Sequence, residues 1–257
     1  MKLGYMKSLL ALLCLSVVTL HAQQNRRQIL RVAAASDLQP ALPTFASAYE
    51  REHHVRLEVT FGSSSTLATQ ILNGAPFDVF LAADFSFPEK VVAAGLATQP
   101  KPIPYAQGTL VLWARKDSPI QPLSMERLID PAVTRIAIAD EFHAPYGRAA
   151  YAALRSIKLD QTLKSKLVVG ENIVQTAQFV ESGNAQMGFI SLTLASSDHM
   201  KQTGEFVRVP AVYPKIRQCA VVIKKGKNAD EGREFLTWLT SPKVQAELPR
   251  FGLEAVR

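Results

Sequence analysis

The sequence has few of the residues that build disulfides or metal sites. Only two cysteines, Cys14 and Cys219, occur in 257 residues. Cys14 falls in an N-terminal apolar run, so an exported chain would keep Cys219 without an internal partner. The apolar setting of residues 219–223 predicts that Cys219 is a small core residue of a buried strand. Neither cysteines nor histidines cluster, so the sequence predicts no directly bound metal ion.

Long hydrophobic runs are also missing, since no stretch approaches the roughly 18 apolar residues of a membrane-spanning helix. The apolar run at residues 9–20 is shorter, and Lys2 and Lys7 precede it. This pattern predicts a secretory signal at residues 1–22, with Met6 as an alternative start of the chain. We therefore expect an exported, periplasmic protein.

The formal charge of +7 becomes +5 once the two lysines of the signal are removed. The basic residues are scattered, without interleaved aromatic residues or a helix-turn-helix pattern, which argues against a nucleic-acid partner. A mild positive field would help to recruit a small anion.

A run of hydroxyl groups marks the point where a predicted strand becomes a predicted helix. Residues 55–61 alternate apolar and polar, and apolar residues then recur at helical spacing over residues 67–72. Between them lies Gly62-Ser63-Ser64-Ser65-Thr66. Serines and free backbone N–H groups at the positive end of a helix dipole suit an anion. The alternative is that the serines only cap the helix.

A second turn of this kind favours a shared site over separate helix caps. Residues 29–35 read as a strand that ends at Ser36-Asp37, and a helical pattern follows. Consecutive strand ends of an open, mostly parallel α/β sheet converge at a crevice where ligands bind. Two further turns of this type occur at residues 140–147 and 169–174, so we expect four helix N-termini in all.

Two proline-rich passages, residues 100–104 and 210–214, divide the α/β pattern. Two chain crossovers predict a discontinuous first lobe of residues 23–108 and 214–257, with residues 109–213 inserted as the second lobe. The final helices are expected to cover the core of the first lobe.

Several motifs, taken in order, resemble the periplasmic molybdate-binding proteins of ABC transporters. The similarity covers nearly the whole mature chain and is carried by residues 33–36, 62–68, 74–80, 145–149 and 170–172. The resemblance implies an α/β fold of the type II periplasmic-binding-protein class, with the ligand in the cleft between two lobes. It implies a monomeric binding protein, not an enzyme, that uses no cofactor and delivers molybdate or tungstate to a membrane-embedded ABC permease.

Carried over residue by residue, the resemblance places five residues at the ligand. Ser36 and Ser64 would supply hydroxyl and backbone donors, and Tyr146 and Ile173 would supply backbone N–H groups. Some members add an aromatic hydroxyl at the position of Ser191, which is shorter here. The backbone N–H of Asp37 is therefore expected to provide the fifth contact.

Asp37 needs a separate explanation, because a carboxylate about 4 Å from a dianion is repelled by roughly 4 kcal/mol per unit charge at an effective dielectric near 20. We expect its side chain to turn away and cap its own helix. In the alternative, Asp37 accepts a proton from hydrogen phosphate.

Two other functions compete with molybdate binding. One is the binding of another tetrahedral oxyanion, sulfate or phosphate. The other, a remote alternative, is a serine hydrolase with Ser64, His143 and Asp140 as nucleophile, base and orienting residue. The G-x-S-x-G elbow of hydrolases is absent from the sequence, which disfavours catalysis.

Overall fold

The computed structural model of the protein describes residues 28–256. Within them the chain forms two five-stranded mixed sheets with helices packed against them. The α/β class expected from the sequence is confirmed. The predicted secretory signal lies outside the described residues. No helix between residues 28 and 256 has the length and apolar character needed to cross a membrane.

The first sheet has the strand order β2-β1-β3-β10-β4. The first three of these strands are parallel, and β10 runs antiparallel to both of its neighbours. The strands are β1 (Gln28–Ala35), β2 (Val55–Gly62), β3 (Val79–Ala82), β4 (Ile103–Gly108) and β10 (Ile216–Val222).

The second sheet repeats this arrangement with the order β7-β6-β8-β5-β9. Here β6 is parallel to β7 and β8, while β5 is antiparallel to β8 and β9. The strands are β5 (Leu110–Arg115), β6 (Ile136–Ala139), β7 (Leu167–Gly170), β8 (Met187–Ser191) and β9 (Gly204–Arg208).

Helices fill the connections between strands and cover both sheets. The α-helices are Leu42–His53, Ser64–Leu72, Ser86–Ala93, Pro145–Ser156, Asp160–Leu163, Ile173–Glu181, Leu192–Ala195, Asp198–Thr203, Ala229–Leu239 and Pro242–Glu247. Short 3-10 helices are Ser36–Leu38, Met125–Ile129, Lys164–Lys166 and Leu248–Phe251.

The helix predicted directly after β1 differs in the structure. A three-residue 3-10 turn, Ser36–Leu38, follows the strand, and the α-helix begins only at Leu42. Three α-helices and one 3-10 turn therefore stand where four α-helix N-termini were expected. The turn Ser36–Leu38 therefore contributes its side chains and tightly wound backbone to the site, but it lacks the dipole of a long α-helix.

The chain passes between the sheets twice. It leaves β4 and enters β5 across Thr109 alone, and it returns from β9 to β10 over residues 209–215. In each sheet, the strand that arrives from the other sheet is the antiparallel one. We propose that each sheet is the core of one lobe, with boundaries after residues 108 and 213.

The first sheet is buried on both faces, as expected for parallel strands covered by helices. Leu30, Val32 and Ala34 of β1 pack into one cluster with Phe235, whereas Ala33 packs into the cluster on the opposite face. Trp238 and Leu239 are also buried, so the core role expected for the final helices is confirmed.

Cys219 lies in β10 with no exposed surface, and burial raises the pKa of its thiol to about 12. Since only the thiolate reacts, a water-soluble thiol reagent should leave Cys219 unmodified in the folded protein at pH 8. Unfolding in guanidinium should make one thiol per mature chain react. Rapid stoichiometric labelling of the native protein would contradict the buried position.

Candidate anion-binding site

The register of the parallel strands brings the hydroxyl-bearing turns side by side. Ala35 at the end of β1 pairs with Gly62 at the end of β2, so the turns that follow both strands begin next to each other. In the second sheet, Ala139 at the end of β6 pairs with Gly170 at the end of β7. Both pairs of strand ends open onto the same crevice, as the rule for open α/β sheets predicts.

A small cavity lies where the four turns meet. It is lined by residues 35–37, 62–64, 83, 144–146 and 172–173, which come from both lobes. All five residues predicted for the site, Ser36, Asp37, Ser64, Tyr146 and Ile173, line this cavity.

Two of the three serines of the second turn, Ser63 and Ser64, have different roles. Ser63 is the N-cap of the helix Ser64–Leu72, and its Oγ accepts the backbone N–H of Thr66 at 3.1 Å. Ser64, which is 1% exposed, accepts the N–H of Ala83 through its Oγ at 3.0 Å. The hydroxyl proton of Ser64 is then available to a ligand. Ser63 therefore caps the helix, while Ser64 presents a donor.

The second lobe contributes backbone groups at two helix starts. Pro145 is the first residue of its helix and Tyr146 the second, so the N–H of Tyr146 has no intrahelical acceptor. Asn172 caps the next helix by accepting the N–H groups of Val174 and Gln175 at 3.0 and 3.1 Å. The N–H of Ile173, the first residue of that helix, remains for the cavity.

The carboxyl group of Asp37 does not cap its helix, in contrast to our expectation. Its Oδ2 accepts hydrogen bonds from Tyr146 Oη at 3.1 Å and from Gln218 Nε2 at 2.5 Å. Gln218 Nε2 also lies 3.2 Å from Tyr146 Oη. Ala35 occupies the N-cap position of the three-residue 3-10 turn, and Asp37 is the middle residue of that turn. Its side chain therefore lies in this buried cluster instead of capping the turn.

Asp37 is 1% exposed, and desolvation raises its pKa from 3.8 to about 7. Hydrogen bonds from Gln218, from Tyr146 and, more weakly, from the backbone of Asp37 itself lower the pKa but do not offset the burial. Its Oδ1 is buried without a hydrogen-bond partner among the described residues. The cavity lining contains no Lys or Arg, so its only ionisable side chains are those of Asp37 and Tyr146.

Gln218 is the residue of this cluster that the sequence analysis did not identify. It lies in β10 with no exposed surface, directly before the apolar residues 219–223. A glutamine at the start of a buried strand was the available signal, because buried polar side chains need partners. The partner itself is 181 positions away along the chain.

Further contacts hold the two lobes together around the cavity. The N–H of Ser65 donates to the carbonyl of His143 at 3.3 Å. Arg148 forms a salt bridge with Asp84 at 3.0 Å, and its guanidinium lies 5.6 Å from the centre of the Phe87 ring. Tyr146 to Asp37 is the third cross-lobe link. The structure thus has the cleft closed over the cavity.

Ser191 and the residues of the hydrolase alternative make other contacts in the structure. Ser191 caps the helix Leu192–Ala195 by accepting the N–H of Leu194 at 3.2 Å, and it is not a lining residue of the cavity. His143 pairs through Nδ1 with Asp140 at 2.9 Å and is exposed. Among the described residues no hydrogen bond joins the Ser64 hydroxyl, which accepts the N–H of Ala83, to the His143 ring, so the nucleophile and base of a hydrolase triad are not joined.

A bilobal α/β fold with a ligand-sized cavity between its lobes is the architecture of solute-binding proteins. Residues 30–254 match the family of bacterial extracellular solute-binding proteins, and the chain belongs to that family. Its close relatives are binding proteins rather than enzymes.

Two relatives and one solved structure show which members are similar. The molybdate-binding protein ModA of Azotobacter vinelandii is 35% identical over 223 residues, covering 86% of this chain and 88% of ModA. ModA of Rhodobacter capsulatus is 33% identical, covering 88% and 87%. The solved periplasmic molybdate-binding protein of A. vinelandii superposes with a TM-score of 0.83 at 29% identity, covering 89% of this chain and all of that one. This likeness confirms the expected type II periplasmic-binding-protein fold.

The raised pKa of Asp37 predicts how stability depends on pH. The unfolded chain loses the Asp37 proton near pH 3.8, whereas the folded chain keeps it to about pH 7. The folded state therefore binds more protons in this window, and its stability falls as pH rises through it. Relative to Asp37→Asn, the wild type should lose up to roughly 4 kcal/mol of unfolding free energy between pH 4 and 7.

Urea unfolding of both proteins across this pH range measures the difference. Asp198→Asn, which removes an exposed carboxylate, is the control and should follow the wild type. Parallel profiles for the wild type and Asp37→Asn would contradict the protonated, buried Asp37.

Proposed function

We propose that this protein captures molybdate or tungstate in the cavity between its lobes and delivers the anion to an ABC import permease. The observation that carries the proposal is the convergence of neutral donors from both lobes on one small cavity whose lining has no basic side chain. The similarity to ModA proteins supports molybdate as the ligand. We propose Ser36, Asp37, Ser64, Tyr146 and Ile173 as the binding residues.

Neutral dipoles are sufficient to hold a dianion in such a cavity. Three helix N-termini, at Ser64, Pro145 and Ile173, direct partial positive charge and free N–H groups toward it. Each hydrogen bond to a charged acceptor contributes roughly 1.5–3 kcal/mol. Two serine hydroxyls and backbone N–H groups from both lobes together replace the water that the anion loses.

The closed arrangement also explains why the ligand would sit between the lobes. The donors of Ser36 and Ser64 belong to the first lobe, while those of Tyr146 and Ile173 belong to the second. Neither lobe alone surrounds the anion. Binding therefore favours the closed state, because only that state offers both sets of donors.

The remaining parts of the proposal concern the cellular role. We infer export by the predicted signal at residues 1–22, a periplasmic location, and action as a monomer that presents the loaded anion to a membrane-embedded permease. Binding requires no cofactor, and the metal atom of the ligand is held only through its oxygens. Sulfate or phosphate is the alternative ligand class, since these anions share the tetrahedral shape.

Anion selectivity tests the assignment directly. Calorimetric titration of the mature protein should give tighter binding for molybdate and tungstate than for sulfate and phosphate, without added metal or cofactor. The similarity to ModA proteins is the reason for this expected order. Equal or tighter binding of sulfate would leave an oxyanion-binding protein but refute molybdate as its ligand.

Removal of single hydroxyl donors tests the residues. Ser36→Ala and Ser64→Ala should each weaken molybdate binding by about 1.5–3 kcal/mol, or roughly ten- to hundredfold in Kd. The reason is that each change deletes one donor to a charged acceptor. Titration calorimetry of the purified variants measures the effect.

Ser191→Ala is the matched control, because it removes a buried serine that caps a helix outside the cavity. Its Kd for molybdate should stay within about twofold of the wild type, even if its melting temperature falls. A larger effect on binding from Ser191→Ala than from Ser64→Ala would refute the proposed set of ligands.

A further inference from the structure

We propose that the side chain of Asp37 binds the anion as a neutral acid, so that the Oδ1 hydroxyl donates a hydrogen bond to an anion oxygen. Tyr146 and Gln218 are the positioning residues that hold this acid in place. The inference rests on the proposed function, since it assigns a second role to a residue of the same site. It predicts that one proton enters the protein with each anion.

The two oxygens of the carboxyl group have different surroundings. Oδ2 accepts from Tyr146 Oη at 3.1 Å and from Gln218 Nε2 at 2.5 Å. With the Gln218 amide oriented so that Nε2 donates, Oδ2 accepts from two protein donors, and the proton of the neutral acid belongs on Oδ1. Gln218 Oε1 is then also buried without a hydrogen-bond partner among the described residues.

Oδ1 has no hydrogen-bond partner among the described residues, although it is buried. An ionised carboxylate with one buried oxygen unpartnered is costly, because the charge loses water without gaining donors. Protonation removes the charge but creates a donor that needs an acceptor. Asp37 is a lining residue of the cavity; in the proposed complex Oδ1 turns toward the anion, and an anion oxygen supplies that acceptor.

No neighbouring charge stabilises an ionised Asp37. The titratable groups that act on it are Tyr105 from β4 and Tyr146 from the second lobe. Burial raises the pKa of both phenols well above 10, so both are uncharged at neutral pH.

Of the elements that pack against the 3-10 turn, two helices add no cation, while β10, which carries Gln218, has one, Arg217, whose side chain is exposed to solvent. The helix Leu192–Ala195 packs against it without titratable residues, and the helix Ile173–Glu181 has only Glu181, at its far end. The nearest guanidinium along the Tyr146 helix is that of Arg148, which is paired with Asp84. Arrival of a dianion then favours the neutral acid further.

This arrangement would select the protonation state of the ligand. A neutral acid donates to an anion whose oxygens are all acceptors, as in molybdate and tungstate. Hydrogen phosphate brings its own O–H donor, which would oppose the proton on Oδ1. A site that supplies only donors therefore discriminates against a protonated anion.

Proton linkage measured by calorimetry tests the inference. Molybdate is fully deprotonated at pH 8, so protons exchanged on binding belong to the protein. Titrations of the wild type in buffers with different ionisation enthalpies should show uptake of nearly one proton at pH 8. Its affinity for molybdate should fall by about tenfold between pH 7.5 and 8.5.

Two variants separate the acid from its positioning residues. Asp37→Asn keeps a donor but has no titratable proton, so its uptake should be zero and its affinity constant over the same pH range. Tyr146→Phe keeps the backbone N–H and removes one donor to Oδ2. It should therefore shift the fall in affinity to higher pH, because that hydrogen bond lowers the pKa of Asp37. Tyr151→Phe, on the same helix but outside the cavity lining, should leave the profile unchanged.

Wild-type protein that binds molybdate at pH 8 without proton uptake, with constant affinity from pH 7.5 to 8.5, would overturn this inference and leave the proposed function intact. Uptake that persists in Asp37→Asn would also overturn it. Failure of the wild type to bind either molybdate or tungstate would refute the proposed function and this inference together. The central measurement uses the wild type alone, so it does not depend on how well a variant folds.

Discussion

The structure depends on one constraint, the backbone N–H groups that every helix leaves unpaired in its first turn. At a protein surface, water satisfies them. Here the helices that begin at Ser64, Pro145 and Ile173 start at a small cavity between two lobes. Once the cleft is closed, a bound acceptor must take the place of water. The serines and the capping side chains are arranged around that requirement, with Ser63 and Asn172 satisfying some of the N–H groups and leaving others free.

The strand topology makes this convergence possible. Parallel pairing of β1 with β2 and of β6 with β7 ends each pair in register, so neighbouring turns start together. The single residue Thr109 and residues 209–215 join the sheets, which keeps the lobes adjacent and their strand ends facing each other. The links from Ser65 to His143, from Arg148 to Asp84 and from Tyr146 to Asp37 then span the cleft.

Asp37 is the site residue whose side-chain contacts the local sequence pattern predicted wrongly. From its position after a strand, a helix cap was the natural expectation, because aspartate favours that position. In the structure its Oδ2 instead contacts residues 109 and 181 positions away, and burial raises its pKa to about 7. Gly108 adds a packing constraint, since a Cβ at that position would lie 2.1 Å from Tyr146 Oη. The strand end next to the crossover must therefore remain small for the cluster to form.

Local pattern by itself indicated most of the strands and helices, the α/β class and the turns that carry Ser36, Ser64, Tyr146 and Ile173, because periodicity and capping act over a few residues. It missed β4, which begins inside the proline-rich passage of residues 100–104, and β9. The motifs in order indicated the family. Only the tertiary structure decided that Ser63 caps its helix while Ser64 accepts the N–H of Ala83, that a 3-10 turn follows β1 and the first predicted helix begins only at Leu42, and that Asp37 meets Tyr146 and Gln218. These outcomes depend on burial and on contacts between distant segments. Hydrogen-bond partners and desolvation exist only once the lobes have packed, so no local sequence pattern encodes them.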